Sequence, residues 1–438
     1  MGYLRPLGDI ERGCWLIDQT APMNVVAIAA LRGRLDLARL ADALARVQRR
    51  HPLLRVCVQV DRAGPAFFSS DHAVPVEVID RRTETQWMQV ATDERNRPIA
   101  WGVPPLLRLS VVKGDDESEL VITMHHIISD GASASYFIRD LLRAYAARGE
   151  RAELGTLALR PAIEALMPES ERGVAGLKRS ARFIGQQAWT YFARRPQLLR
   201  EQASVPAAQR QSTFAHQLLS QAETHALLAI CRRHTVSVHS ALCAALLQAV
   251  GAEIRTDMNV GETLLGCCTP VNLRAALRPA VGEDLGLYVG PIVTFHPLDA
   301  RTELFALAAQ LTTQIQAART AGIPTLALAT QGRLLPARIS PQRAAQHLYN
   351  RLFGTVSVSN MGILDIPTDY GELQLDALHL GGSNNPFGSL ISITATTLSG
   401  RLDLTFNYNQ RIVSDERLSR VVTATMNALR QVERAAAP

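Results

Sequence analysis

Lysine is nearly absent from this sequence of 438 residues, which contains only Lys113 and Lys178. Arginine therefore supplies almost all of the positive charge, and 46 basic residues against 40 acidic ones leave a net charge of +6. With the many alanines, this composition indicates genomic base composition rather than selection for binding a polyanion. We do not expect a nucleic-acid-binding protein, although a basic surface would suit an acidic partner or a phosphorylated cofactor.

Long hydrophobic runs are also missing. Residues 1–13 lack the apolar core of a signal peptide, and no uncharged apolar run reaches the roughly 18 residues that a membrane span needs. The six cysteines show no CxxC spacing and lie mostly in apolar surroundings, which is typical of buried free thiols in a reducing compartment. The sequence thus predicts a soluble, cytoplasmic protein without a membrane span.

Several common catalytic signatures do not occur. The GxSxG turn that presents a nucleophilic serine is absent, so Ser129 and Ser133 have no distinguishing context. The Rossmann and P-loop glycine patterns are absent too, which argues against nucleotide-dependent chemistry.

Hydrophobic periodicity predicts strands mixed with helices in the first half of the chain. A β-branched strand at 25–31 precedes a helix from Leu37, which Asp36 caps and which stops before the His51-Pro52 pair. Further strands are predicted at 53–60, 106–112 and 120–126, with a helix after Gly131.

The second half repeats this mixture. One helix ends near His234, and a second, at 241–250, is predicted to be capped by Ser240. Strands are predicted at 261–271, 292–296, 355–359, 390–397 and 402–408, before an amphipathic helix from Ser414. The resulting prediction is an N-terminal subdomain at 1–170, a connecting helical linker at 171–210 and a C-terminal subdomain at 211–438.

The predicted linker is rich in arginine and almost free of acidic residues after Glu171. Two interpretations remain open at this point. The segment is either a solvated arginine-rich helix or a docking face for an acidic carrier protein.

Residues 124–131, with the sequence MHHIISDG, carry the clearest chemical pattern. In a strand at 120–126, His126 lies on one face and His125 on the other, so the two rings have different surroundings. A neutral imidazole suits general-base catalysis at cellular pH. Asp130 either orients an imidazole or pairs with an arginine to hold the turn, and Gly131 permits a sharp bend or a close approach.

Three other interpretations of this segment compete with general-base catalysis. A pair of histidines at the end of a strand often has only a structural role. His125, His126 and Asp130 also have ligand atoms for a metal, but adjacent strand residues diverge and no further Cys/His cluster is near in sequence, so we predict no metal site. The third alternative is a Ser or Cys nucleophile.

The string MHHIISDG resembles the HHxxxDG signature of the acyltransferase superfamily built on chloramphenicol-acetyltransferase-like halves. This superfamily includes condensation domains of nonribosomal peptide synthetases, polyketide-associated acyltransferases, wax-ester synthases and plant BAHD enzymes. Companion elements that resemble the family's occur in the expected order: RHPLLR at 50–55, PPLLRL at 104–109, PVNLR at 270–274, SNMG at 359–362 and a late strand at 402–409.

This resemblance implies an α/β fold of two subdomains, each a mixed sheet with flanking helices, and an active-site tunnel between them. It implies that His126 is the catalytic base, that His125 and Asp130 support it, and that Gly131 is the motif glycine. Arg274 matches the arginine that pairs with the motif aspartate. Ser359 and Asn360 match the substrate-binding wall of the second half, although Asn360 is equally typical of a turn.

The activity implied is that of a stand-alone acyltransferase in natural-product or lipid biosynthesis. It would use an acyl thioester, on coenzyme A or on a carrier protein's phosphopantetheine, as substrate rather than as a bound cofactor, and a small alcohol or amine as acceptor. The BAHD motif DFGWG is absent, which disfavours a plant-type enzyme. Residues 286–295 match the condensation pattern only loosely, which favours ester over amide formation. Alternatives are a wax-ester or diacylglycerol-type enzyme using long acyl-CoA, and a non-catalytic protein that binds carrier proteins.

Overall fold

The computed structural model describes residues 2–147, 154–199, 205–206, 209–336, 338–349, 354–382 and 389–434. Its helices are α1 Asp9–Asp18, α2 Leu37–Arg50, α3 Gln86–Asn96, α4 Gly131–Ala146, α5 Ile163–Leu166, α6 Gly173–Arg194, α7 Gln221–Arg233, α8 Val238–Met258, α9 Leu304–Thr320, α10 Ile323–Arg333, α11 Pro341–Tyr349 and α12 Asp415–Arg434. Its strands are β1 Tyr3–Pro6, β2 Asn24–Arg32, β3 Val56–Asp61, β4 Gly64–Ser69, β5 Val76–Asp80, β6 Leu107–Lys113, β7 Glu117–His125, β8 Ser212–Leu219, β9 Glu262–Asn272, β10 Val289–Asp299, β11 Val356–Ile363, β12 Gln374–Gly382, β13 Ile391–Leu398 and β14 Arg401–Asn409.

The chain divides into two compact units that are not contiguous in sequence. Unit 1 contains Met1–Leu166, Leu277–Tyr288 and Ile363–Ser383, and unit 2 contains Met167–Ala276, Val289–Gly362 and Asn384–Pro438. Each unit has a mixed sheet flanked by helices, which confirms the predicted α/β class. The tunnel expected from the family resemblance stays a prediction.

Unit 1 is built on a five-stranded sheet in the order β12-β2-β7-β6-β5, and a three-stranded sheet, β1-β4-β3, accompanies it. Helices α3 and α4 contact β2. The predicted start of α2 is confirmed, because the Asp36 carboxylate accepts hydrogen bonds from the backbone N–H groups of Ala38 and Arg39. The helix ends where expected too, at Arg50, before the His51-Pro52 pair.

Strand β12 has no counterpart among the predicted elements. It pairs antiparallel with β2, with Leu378 opposite Ala29, so a late segment of the chain completes the sheet of unit 1. The predicted division at 1–170, 171–210 and 211–438 assumed contiguous pieces, and the two late segments of unit 1 depart from it. Pairing between strands some 350 residues apart leaves no local sequence signal.

Unit 2 contains a six-stranded sheet in the order β10-β9-β11-β13-β14-β8. Ile393 on β13 and Phe406 on β14 are register partners, and both belong to the apolar core that residues of α7, α8, α9 and α12 share. On the alternate positions, Thr394 and Thr405 are register partners that share the opposite face. The sheet is therefore apolar towards its helices and polar on its other side.

Three local predictions need correction. The strand expected at 53–60 begins only at Val56, because Pro52–Arg55 form a 3-10 turn. The predicted cap of the helix at 241–250 is wrong: α8 begins at Val238, and the Ser237 hydroxyl accepts the backbone N–H of Ser240. The third concerns the motif, since β7 ends at His125 and leaves His126 in the following turn.

Among the described residues, no single helix is long and apolar enough to cross a membrane. Helices α7 and α8 meet the length and hydropathy criteria only as a pair, and the pair bends by 97° at its break.

Candidate active site

The central strands of unit 1 position the MHHIISDG segment. Strand β7 lies between β2 and β6, with His125 opposite Asn24 and Met124 opposite Leu107. The backbone N–H of His125 donates to the carbonyl of Leu106 and that of His126 to the carbonyl of Met23, so consecutive residues bond to opposite neighbours. Because β7 ends at His125 and His126 lies in the following turn, strand alternation does not extend to His126, and the divergence of the two imidazoles stays a prediction.

The ring of His126 is held by a hydrogen bond within its own turn. Its Nδ1 lies 2.8 Å from the carbonyl oxygen of Ser129. A carbonyl can only accept, so Nδ1 carries the proton and donates it. In the neutral ring, Nε2 then holds the free lone pair, and none of the described residues hydrogen-bonds to this atom. The half-buried His126 is thus prepared to accept a proton at Nε2.

The surroundings of His126 keep the ring neutral. Burial lowers the pKa of His126 below its usual value of 6.5, and this effect outweighs the hydrogen bond to Ser129 and the negative charge of Asp130, which both raise it. At neutral pH the ring therefore has its base form available. This is the protonation state that a general base requires.

His125 is fully buried and has different contacts. Its Nδ1 accepts the backbone N–H of Ile127 at 3.1 Å, and its ring packs edge-on against Trp101 with centroids 4.2 Å apart. Nε2 lies 3.1 Å from Oδ1 of Asp18, within ion-pair distance but outside hydrogen-bond geometry. These contacts brace the turn. Because Nδ1 is engaged in both motif histidines, each retains only Nε2 as a potential metal ligand.

Asp130 joins the motif to two other parts of unit 1. It caps α4, since its Oδ1 accepts the backbone N–H of Ser133 at 2.8 Å. Its Oδ2 accepts the backbone N–H of Tyr288 at 3.0 Å. The Ser133 hydroxyl donates to the carbonyl of Gly286 and accepts that residue's N–H. Gly131 is the first residue of α4, directly after this cap.

Residues 283–288, which we call the strap, run along α4 in the opposite direction to the helix. Tyr288 and Gly286 bind Asp130 and Ser133 as described, and Glu283 lies two turns further along the helix. Its carboxylate accepts from Arg139 at 2.6 Å and from Arg50 at 3.2 Å. The Arg139 hydrogen bond is the main reason why the pKa of Glu283 is lowered. The strap is therefore held at one end by the ion pairs of Glu283 and at the other by the hydrogen bond from Tyr288 to the Asp130 carboxylate.

A buried charge network supports the outer end of the strap. Asp140 lies 2.8 Å from Arg50, 2.8 Å from Arg139 and 3.0 Å from Nε2 of His51. Burial alone would raise the pKa of Asp140, but the hydrogen bonds from His51 and Arg139 outweigh it and hold the value at about 2. Sequence reasoning missed the strap and this network. The one available signal was the RHPLLR element, which contains Arg50 and His51.

The predicted site residues of unit 2 lie on other elements. Arg274 is buried in a short 3-10 turn, where its backbone N–H donates to the Asn272 side chain at 3.0 Å. Asn360 lies on β11, and its side-chain oxygen accepts the N–H of Gly362, which lies in the same strand with a φ of +71°. Ser359 precedes it on the same half-buried strand. The pairing of Arg274 with Asp130 and the substrate-binding roles of Ser359 and Asn360 stay predictions.

Comparison with protein families and curated proteins gives a consistent result. Residues 208–405, a little under half of the chain, match the family "Phthiocerol/phthiodiolone dimycocerosyl transferase C-terminus". Tyrocidine synthase 2 of Brevibacillus parabrevis is 32% identical over 151 residues, which are 33% of this chain and 4% of that protein. Tyrocidine synthase 3 of the same organism is 32% identical over 146 residues, 32% of this chain and 2% of that protein. The chain thus spans only a small fraction of these curated relatives.

Solved structures with a similar fold cover almost the whole chain. Polyketide synthase associated protein 5 from Mycobacterium tuberculosis aligns with a TM-score of 0.68 and 17% identity, over 98% of both chains. Trichothecene 15-O-acetyltransferase from Fusarium sporotrichioides aligns with a TM-score of 0.74 and 12% identity, over 98% of this chain and 95% of the other. The fold expected from the motif resemblance is confirmed, because these solved structures share it over almost the whole chain, and residues 208–405 match the transferase family model.

Proposed function

We propose that this protein transfers an acyl group from a thioester to a hydroxyl group, with His126 as the general base. The donor is acyl-coenzyme A or an acyl-phosphopantetheine carrier protein, which acts as substrate. An ester is the main product, and an amine is the less favoured acceptor. The observation that carries the proposal is the hydrogen bond from Nδ1 of His126 to Ser129, because it leaves the Nε2 lone pair free.

The proton and the bonds balance without a covalent acyl-enzyme. Nε2 of His126 takes the proton of the acceptor hydroxyl while the hydroxyl oxygen attacks the thioester carbonyl. The tetrahedral intermediate then collapses, the C–S bond breaks, and the imidazolium returns the proton to the departing thiolate. His125 and Asp130 act as positioning residues, since their contacts hold the turn from which His126 projects.

Magnitudes are consistent with this division of roles. A positioned general base contributes roughly 10²–10⁴-fold to the rate, or about 3–5 kcal/mol of barrier. Holding donor and acceptor together contributes a further, larger part of the rate acceleration, because their translational freedom is lost on binding rather than in the chemical step. His126 is therefore necessary for fast turnover but does not account for all of the acceleration.

A mass-spectrometric product assay tests the proposal. The purified chain is incubated with matched acyl-coenzyme A and acyl-carrier donors, of short and long acyl chain, against a panel of alcohols and amines. We expect an ester product whose formation requires the protein and releases one free thiol per ester. The His126→Ala variant is the control for acyl transfer that occurs without the proposed base.

Other outcomes select the alternatives. Turnover with fatty alcohols and long acyl-coenzyme A alone would indicate a wax-ester type of enzyme. Amide products without ester would contradict the proposed acceptor class. Binding of acyl carrier protein with no product from any pair would contradict catalysis and favour a carrier-binding protein.

A further inference from the structure

Helix α6 of unit 2 exposes large apolar side chains. Val174, Leu177 and Trp189 are 71%, 59% and 76% exposed. Single exposed apolar residues are common on protein surfaces, but three large ones on one helix form a feature that usually marks an interaction site.

These residues form one stripe along the helix. At 3.6 residues per turn, Val174, Leu177, Ala181 and Trp189 fall within an arc of about 120°. The stripe extends from Val174 to Trp189, a separation of 15 positions or roughly 22 Å along the helix. An amphipathic helix of a folded protein normally turns such a stripe towards its core, whereas here it faces solvent.

The opposite side of α6 holds the helix in place. Arg333, at the end of α10, donates to the Ser180 hydroxyl at 2.6 Å and to the carbonyl of Gly176. Thr330 of α10 donates to the same hydroxyl at 2.9 Å. The helix is thus seated on α10 by residues outside the stripe, so packing does not require the exposed apolar side chains.

The charge of this segment has one sign. From residue 172 to residue 195 there is no acidic residue, while there are six basic ones: Arg172, Lys178, Arg179, Arg182, Arg194 and Arg195. Arg179 is neutralised by Glu171, 2.9 Å away. Lys178 lies inside the arc of the stripe, and Arg182 lies about 20° beyond the edge of the arc that Trp189 forms. From these positions the long side chains of both residues can extend their charges past an apolar surface.

We propose that this face of α6 (Val174, Leu177, Ala181 and Trp189 with Lys178 and Arg182) binds an anionic lipid surface. The helix lies in the plane of the interface, with the stripe among the acyl chains and the basic groups among the headgroups. Trp, Leu and Val beside Lys and Arg are the composition of interfacial helices. A protein partner typically anchors aromatic side chains in pockets and rims them with polar contacts, whereas a straight ridge with an apolar crest suits a lipid surface.

The test uses the full chain and two kinds of vesicle, phosphatidylcholine alone and phosphatidylcholine mixed with phosphatidylglycerol. We expect the protein to sediment with the mixed vesicles at low salt and to be released at high salt. Trp189 emission should shift to shorter wavelength on binding. The Trp189→Phe variant should still bind while losing most of the shift, since Trp15, Trp87 and Trp101 lie in unit 1.

Two aspartate substitutions on the same helix separate insertion from charge. Leu177→Asp lies within the stripe, and Ala175→Asp, also exposed, lies outside it. Both substitutions change the charge equally, so a difference between them reports the loss of the apolar side chain. We expect Leu177→Asp to lower vesicle binding at least about tenfold more than Ala175→Asp, a difference that corresponds to the burial of one leucine side chain. Circular dichroism and melting verify that both variants are folded.

Equal binding by the two variants would overturn the proposal, as would the absence of binding to mixed vesicles at low salt. Binding of a purified acidic acyl carrier protein, weakened by Leu177→Asp, without any vesicle binding would assign the face to a protein partner instead. Vesicle binding does not depend on His126, so its failure is distinguishable from failure of the proposed acyl transfer.

Discussion

Replacing His126 with alanine is expected to lower kcat by at least about two orders of magnitude, because the acceptor hydroxyl then loses its proton acceptor. The fold should survive, since the substitution removes one hydrogen bond, Nδ1 to Ser129, from a half-buried side chain. The measurement is steady-state turnover with the best donor and acceptor pair from the product assay. KM for either substrate should change little in comparison with kcat.

His225→Ala is the matched control for this variant. His225 is an exposed histidine on α7 of unit 2, so its loss removes an imidazole without touching the motif. It should retain wild-type turnover. A folded His126→Ala protein that turns over as fast as His225→Ala would exclude His126 as the base.

Asp130→Ala is expected to lower both stability and activity. The substitution removes the cap of α4 and leaves the buried backbone N–H of Tyr288 without its carboxylate acceptor. A lost cap costs about 1 kcal/mol and an unsatisfied buried donor about 1–3 kcal/mol. In a unit of this size the melting temperature should fall by roughly 5–10 °C. Thermal unfolding by circular dichroism measures the change.

The Glu283→Gln variant tests the contribution of the outer end of the strap separately from that of the end at Asp130. The Glu283 side chain is 43% exposed. Its partner Arg139 also pairs with the buried Asp140, and the substitution leaves that second ion pair in place. A partly exposed pair contributes less than about 1 kcal/mol, so the melting temperature should stay within about 2–4 °C of the wild type. If Asp130→Ala melted no lower than Glu283→Gln, the carboxylate would not be holding the strap and the motif together.

Local patterns were sufficient to predict the elements that carry the motif. The apolar run at 25–31 and the spacing of 120–126 locate β2 and the central strand β7, and Asp36 marks the start of α2. Each of these signals comes from residues that are neighbours in sequence: alternation in a strand, a cap before a helix, a proline after its end.

The remaining features depend on contacts between distant residues. Strand β12 is recognisable only by its pairing with β2, and the strap only by its contacts with α4. Glu283 is one acidic residue among 40 in the sequence, and its partners Arg50 and Arg139 come from two separate helices. No spacing rule connects these three positions.

The proton of His126 illustrates the same distinction within the motif. The sequence identifies two adjacent histidines and predicts that their rings diverge. Which ring nitrogen carries the proton depends on the Ser129 carbonyl, three residues later, and therefore on the conformation of the turn. The chemical role that we propose for His126 comes from the motif, whereas the tautomer that this role requires comes from the structure.

Nitrogen-15 NMR of the histidine side chains tests the proton-acceptor role of His126 without any substrate. The His126 signals are assigned as those missing from the spectrum of His126→Ala. At pH 7 we predict a neutral ring with the proton on Nδ1 and an unprotonated Nε2, which becomes protonated only below pH 6.5, since burial lowers the pKa. A proton on Nε2 of the neutral ring, or a cationic ring at pH 7, would contradict general-base catalysis by this residue.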